Sequence, residues 1–220
     1  MPSACRRRHR ETMGAMYVPP KFSVDDDDAW RIVKDAGAGM LVIPTPVGLA
    51  SVYVPVVVSE DRHTMTSHLA KANPWWKSVT GDTEVLALFL AASAYVTPSY
   101  YPSRFENPGV VPTWNYVAAE VRGRLTLHED PEWKLNQVRS LTQQFEQGRD
   151  PEWLVDGLDQ KYREQQLKAI VGMEIDVISI EGKAKLSQNR PVVDHDSVRD
   201  HFAQGSLGEQ NVAKRMKSID

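Results

Sequence analysis

Residues 111–125 read Val-Pro-Thr-Trp-Asn-Tyr-Val-Ala-Ala-Glu-Val-Arg-Gly-Arg-Leu. A proline closes the preceding loop, and β-favouring residues follow with a period of two. Trp114, Tyr116 and Ala118 fall on one face, Thr113, Asn115 and Val117 on the other. Both faces carry apolar side chains. The stretch therefore reads as a long central strand, covered by a core on one side and by a partner or ligand on the other.

The flanking segments supply the rest of a sheet. Residues 39–43 and 49–58 are apolar, β-branched runs separated by Pro44, Pro46 and Gly48, and Pro55 marks an edge or a bulge. A third strand is expected at 63–66. The small and polar residues that follow it, from Ser67 to Trp76, read as the opening of a helix. Free N–H groups there, the Ser67 hydroxyl and the Lys71 cation are what an anion such as phosphate needs. Residues 84–91 form the next strand, continued by 95–98, before a Pro- and Ser-rich loop at 99–112 flanked by Tyr95, Tyr100 and Tyr101. Beyond the central strand, residues 173–180 alternate as the last barrel strand. Residues 181–191 then form a polar, basic loop able to grip a phosphate or a polar ring edge.

Helices fall between and around these strands. Asp25 to Asp28 stand where acids favour the positive end of a helix that runs to about Gly37. Dipole stabilisation accounts for them better than a metal cluster, because adjacent residues of one turn point in different directions. Asp130-Pro131-Glu132 is a start signal for a helix whose buried stripe is Leu135, Val138, Leu141 and Phe145, ending near Gly148. A further helix spans 160–168. The expected sum is an α+β fold, mainly β: a six-stranded barrel with peripheral helices over 16–191 and a helical tail at 192–220. Residues 1–15, with Arg6, Arg7, Arg8 and Arg10 and little that could pack, read as a disordered leader ahead of a start at Met16.

Composition bounds the function. With 220 residues, 41% hydrophobic and a net charge of -3, the chain can bury one substantial core and has no overall attraction to nucleic acid or an anionic membrane. Cys5 is the only cysteine, which suits a reducing cytoplasm and excludes a cysteine nucleophile or metal site in the fold. No run is long and apolar enough for a membrane span. A Gly-x-Ser-x-Gly elbow, a paired-His zinc motif and a Gly-Lys-Ser/Thr phosphate loop are also missing, which sets hydrolase and nucleoside-triphosphatase chemistry aside.

Five collinear motifs carry a resemblance: Met16-Tyr-Val-Pro-Pro20, His68-Leu-Ala-Lys-Ala-Asn-Pro-Trp-Trp76, Ala94-Tyr-Val-Thr-Pro-Ser-Tyr-Tyr101, residues 111–116, and Lys185-Leu-Ser-Gln-Asn-Arg190. Together they resemble the PaiB family, FMN-binding negative transcriptional regulators with the split-barrel fold of pyridoxamine-phosphate-oxidase-like flavoproteins. The resemblance implies a homodimer of six-stranded split barrels with FMN between subunits. It places Thr66, Ser67, His68 and Lys71 at the flavin phosphate, and Tyr95, Trp114, Asn115, Lys185, Gln188 and Arg190 on the ring side. Direct contact with DNA would need a basic patch formed in the dimer.

Three positions depart from the family pattern. Ser67-His68 replaces Gly-His, Phe89-Leu90-Ala91 replaces Phe-x-Gly, and Lys183-Ala184-Lys185 replaces Lys-Trp-Lys. The first adds a side chain where backbone approaches a ligand, and the last removes an aromatic wall. The alternative functions are a flavin-dependent oxidoreductase acting on a small molecule, or a haem enzyme resembling the piperazate synthases, with His68 as axial ligand.

Overall fold

The computed structural model describes residues 16–106 and 109–216, so the reading of 1–15 as a leader lies outside the described residues. Seven strands form one antiparallel sheet: β1 (Ala38–Thr45), β2 (Gly48–Pro55), β3 (Val57–Val58), β4 (Thr64–Ala70), β5 (Thr83–Val96), β6 (Thr113–His128) and β7 (Ile170–Lys185). Their order is β2-β1-β5-β6-β7-β4-β3. The two outermost strands are consecutive in the chain and separated only by Val56. The sheet thus curls until its ends meet, and a chain segment expected as one strand is counted as two. The break falls at Pro55, which has no N–H to give a ladder.

The organising stretch is the central strand, paired with β5 on one side and β7 on the other. Asn115, Val117, Ala119 and Val121 are buried on its inner face, whereas Trp114, Tyr116 and Ala118 face outward. The final strand is longer than its alternation suggested. Its register shifts beside Gly123 of β6, and after this irregularity it continues through residues 181–185, which had read as loop.

Five helices surround the barrel: α1 (Asp26–Ala36), α2 (Pro131–Glu146), α3 (Gln160–Lys168), α4 (Val192–Ala203) and α5 (Leu207–Ala213). The aspartate run serves α1 as expected of a first turn. Asp25 accepts from Asp28 N–H at 2.8 Å, Asp27 pairs with Arg62, and Asp28 pairs with Arg31. In α2 the buried stripe is rotated from the expected one: Lys134, Gln137 and Leu141 are buried, and Phe145 is exposed. The cause is what lies beneath, since Gln137 meets His68 and Lys134 meets the Ile170 carbonyl. The tail helices deliver Val198, Phe202 and Val212 into the same hydrophobic core as the barrel. Among the described residues no helix is long and apolar enough to cross a membrane.

Candidate functional site

The outer face of β5, β6 and β7 gathers Tyr95, Trp114 and Lys185. Tyr95 and Trp114 are cross-strand partners whose rings meet edge to face, 6.0 Å apart, and they stay 48% and 54% exposed. Lys185 lies opposite Tyr116 and donates to the Thr113 hydroxyl and, at 2.9 Å, to the Trp114 carbonyl. Partial burial, reinforced by the Lys183 and Arg190 cations, holds the Lys185 ammonium below its ordinary pKa. Lys183 sits 5.4 Å from the Tyr116 ring and donates to the Tyr17 carbonyl at 2.8 Å. The product is an aromatic wall rimmed by two ammonium groups, suited to stacking a planar ring and holding its polar edge.

A second group lies on β4. The helix expected to open at Ser67 is instead strand as far as Ala70, followed only by a 3-10 turn, Pro74–Ser78, capped by Asn73. Alternation explains it, since Met65, Ser67 and Leu69 are buried and the residues between them are not. Thr66, Ser67 and His68 all lie in the ladder with β7. No helix start presents free N–H groups there, and anion chemistry must come from side chains. His68 Nδ1 lies 2.7 Å from Gln137 Oε1, which fixes the ring. Lys71 pairs with Glu129 at 2.6 Å, and the buried Lys134 ammonium stands 3.6 Å from the same carboxylate. The Lys71 hydrogen bond, followed by the charges of both lysines, keeps Glu129 below its ordinary pKa.

Ser67 faces the opposite way from His68. It is buried, and its hydroxyl donates to the Pro55 carbonyl at 2.6 Å, tying β4 to the place where the barrel seam breaks. The departure from glycine is thus absorbed in the core, so the serine adds no bulk on the outer face. Ser67→Ala should lower stability by about 1–2 kcal/mol, because a carbonyl at the seam loses its partner. A denaturant midpoint will show the loss, while ligand affinity stays unchanged.

Three residues expected on the ring side make contacts in and beside the turn after β7. Asn115 is fully buried and exchanges hydrogen bonds of 2.9 and 3.1 Å with Ser187, which has a left-handed backbone (φ 64°). Gln188 accepts from Leu186 N–H and donates to the Ala184 carbonyl. Arg190 stacks on the buried Tyr101 ring at 4.7 Å. Ala184 pairs with Val117 on the inner side, so a tryptophan at this position would not join the outer aromatic wall.

The two outer groups stand far apart. His68 lies opposite Gly172 at the start of β7, and Lys185 ends that strand, which places roughly 40 Å of strand between them. Measured along β7, that path is longer than one flavin mononucleotide. Sequence reading missed Tyr116 and Lys183, although each is two residues from a named candidate on the same strand face. It also missed Glu129, Lys134 and Gln137, which no local pattern marks: Glu129 follows the end of β6, and the docking of α2 brings Lys134 and Gln137 to β4.

Comparison with known proteins agrees with this architecture. The family described as "Putative FMN-binding domain" matches residues 16–179. The protease synthase and sporulation protein PAI 2 of Bacillus subtilis (strain 168) is 33% identical over 186 residues, covering 83% of this chain and 87% of that protein. An uncharacterised protein of Emericella nidulans is 29% identical over 210 residues, 78% of this chain and 84% of its own length. The FAD and haem binding protein from Mycobacterium smegmatis shares the fold with a TM-score of 0.55 at 14% identity, over 74% of this chain and 73% of that one. The flavocytochrome Anf3 from Azotobacter vinelandii does so with a TM-score of 0.52 at 12% identity, over 73% and 67%.

Proposed function

The chain belongs to the PaiB family of FMN-binding split-barrel proteins, and from this we propose that it acts as a homodimer holding FMN in clefts completed by both subunits. One observation carries the reading: the two outer groups lie at opposite ends of β7, so two subunits supply them to one ligand more readily than one chain does. A second copy placed against the outer face brings the β4 group of one subunit to the aromatic wall of the other. An exposed apolar stripe supports that docking. Met40 is the cross-strand partner of both Tyr53 and Leu88, and the three are 37%, 65% and 41% exposed.

The donor set suits FMN in two halves. His68, Thr66 and Lys71, with Lys134 behind, offer hydrogen bonds and positive charge to a phosphate. Tyr95 and Trp114 offer a stacking surface, and Lys185 a donor toward the ring's carbonyl edge. When bound, the flavin would supply redox chemistry, and this chain's residues would hold and orient it. Its role is negative regulation of gene expression, as the family resemblance implies. The visible spectrum of the purified protein tests cofactor binding: a flavin profile supports the reading, and a colourless protein that rejects added FMN refutes it. Promoter DNA shifted at low salt and released at high salt would make the regulation direct, and absence of any shift would make it indirect.

Glu129 already occupies the cation pair that a phosphate would use. Glu129→Gln should therefore tighten FMN binding about three- to tenfold, read by fluorescence titration, because an exposed ion pair of modest strength no longer competes. Affinity left unchanged would place the phosphate elsewhere.

His68 favours one further reading. Its Nδ1 is anchored by Gln137, and the ring borders a cavity of about 370 Å³ whose lining includes Trp153 and Tyr162. Such anchoring would orient the ring as an axial haem ligand, the alternative raised by the resemblance to the piperazate synthases. A Soret band lost in His68→Ala would establish it, whereas a modest weakening of flavin binding in the same variant supports the phosphate contact.

A further inference from the structure

A cavity of about 480 Å³ lies on the other side of β6 and β7 from the aromatic wall, between the sheet, α1, α4 and the end of α5. Its apolar lining includes the cross-strand pair Val117 and Ala184, together with Ile32 of α1. Position 184 is where the family pattern carries tryptophan. An alanine there leaves room beside the inner sheet face that an indole would occupy.

The charged groups around this apolar lining are unequal. Arg31 is neutralised by Asp28, and Arg215 by Asp35 at 2.7 Å. Lys214, which also borders the cavity, makes no ion pair among the described residues. Gln188 has both ends of its amide engaged within its own turn. His195, 1% exposed, also borders the cavity, with Nδ1 3.2 Å from Asp196. The cavity thus combines an apolar body with a cation that makes no ion pair among the described residues. Its size falls within the range of small-molecule sites.

We propose that this cavity is a binding site for an amphipathic monocarboxylate, with its apolar chain against Val117, Ala184 and Ile32 and its carboxylate at Lys214. The charge count selects the head group. The two arginine–aspartate pairs sum to zero, which leaves the exposed Lys214 ammonium at the rim as the charge that attracts an anionic head. The apolar lining selects the body, since burying a methylene chain is favourable in proportion to the area it removes from water. The site is separate from the flavin clefts and does not depend on them.

Isothermal titration of the full-length protein with decanoate, and in parallel with decanol, tests this. Saturable binding of one decanoate per chain is expected, with decanol at least tenfold weaker. Lys214→Glu, an exposed substitution, should weaken decanoate at least tenfold without changing the melting temperature. Ala184→Trp should abolish binding by filling the space, with a far-UV spectrum that stays native. Added FMN should leave decanoate affinity unchanged. The proposal is overturned by no saturable binding, by decanol binding as tightly as decanoate, or by unchanged affinity in Lys214→Glu. Binding that appears only after removal of residues 217–220 would also overturn it, since the chain's own end would then be the occupant.

Discussion

Mixing His68→Ala/Lys71→Ala protein with Trp114→Ala/Lys185→Ala protein should restore FMN binding that neither variant shows alone. The first variant removes the imidazole and the cation proposed to meet the phosphate, and the second removes the stacking face and the ring-edge donor. Each loss is worth about 1.5–3 kcal/mol per charged contact, so each homodimer should bind at least about a hundredfold more weakly than the parent. If every cleft takes one group from each subunit, a mixed dimer holds one intact cleft and one doubly defective cleft. After random exchange of subunits about one cleft in four regains the parent affinity. Fluorescence titration of the mixture would then show a tight phase missing from both parents. A mixture that binds no better than its components would mean that each cleft draws its contacts from a single subunit.

The second large effect is on stability. Gly123→Ala should destabilise the chain by about 3 kcal/mol or more. A Cβ at this position would lie 2.4 Å from the Asp176 carbonyl oxygen and 2.5 Å from Ile175 Cγ2. Relief requires backbone movement, because the first obstacle is main chain rather than a flexible side-chain end. β6 is paired on both edges, so its shift would strain the ladders with β5 and β7 together. For a domain of this size the melting temperature should fall by roughly 6–12 °C. Gly81→Ala is the control. A Cβ there meets open space, and the change should be neutral or stabilise by up to about 1 kcal/mol through the unfolded chain. Equal melting temperatures for Gly123→Ala and the parent would show that the β6–β7 irregularity can relax.

The glycine also shows why the last strand was read too short. Residues 173–180 alternate cleanly, but the register slips beside Gly123, and past that point each residue changes the face its position would imply. Lys183 and Lys185 therefore looked like members of a polar loop. They are strand residues whose ammonium groups sit over the outer sheet face. Ser67 failed for a related reason: a run of small and polar residues is compatible with a helix start, and only the ladder with β7 makes it strand.

Much of the molecule was nonetheless legible from residue order. Alternation in 111–125 correctly separated Trp114 and Tyr116 from Asn115 and Val117, because a period of two assigns faces without reference to the rest of the chain. The helix starts at the aspartate run and at Asp130 were equally local, since first-turn acids and caps involve only the residues of that turn, although the structure makes Asp25 itself the cap. Pro55 announced the seam through the donor it lacks. Tertiary structure alone decided which candidates meet. Asn115 and Gln188 bond within the turn after β7 and Arg190 stacks on Tyr101, while Lys134 and Gln137 arrive from a helix more than fifty residues beyond β4. Faces and caps are set by neighbours in the chain, whereas side-chain partners are set by packing across the sheet. The split of the outer site into two distant halves therefore became visible only once β7 had a length and a direction.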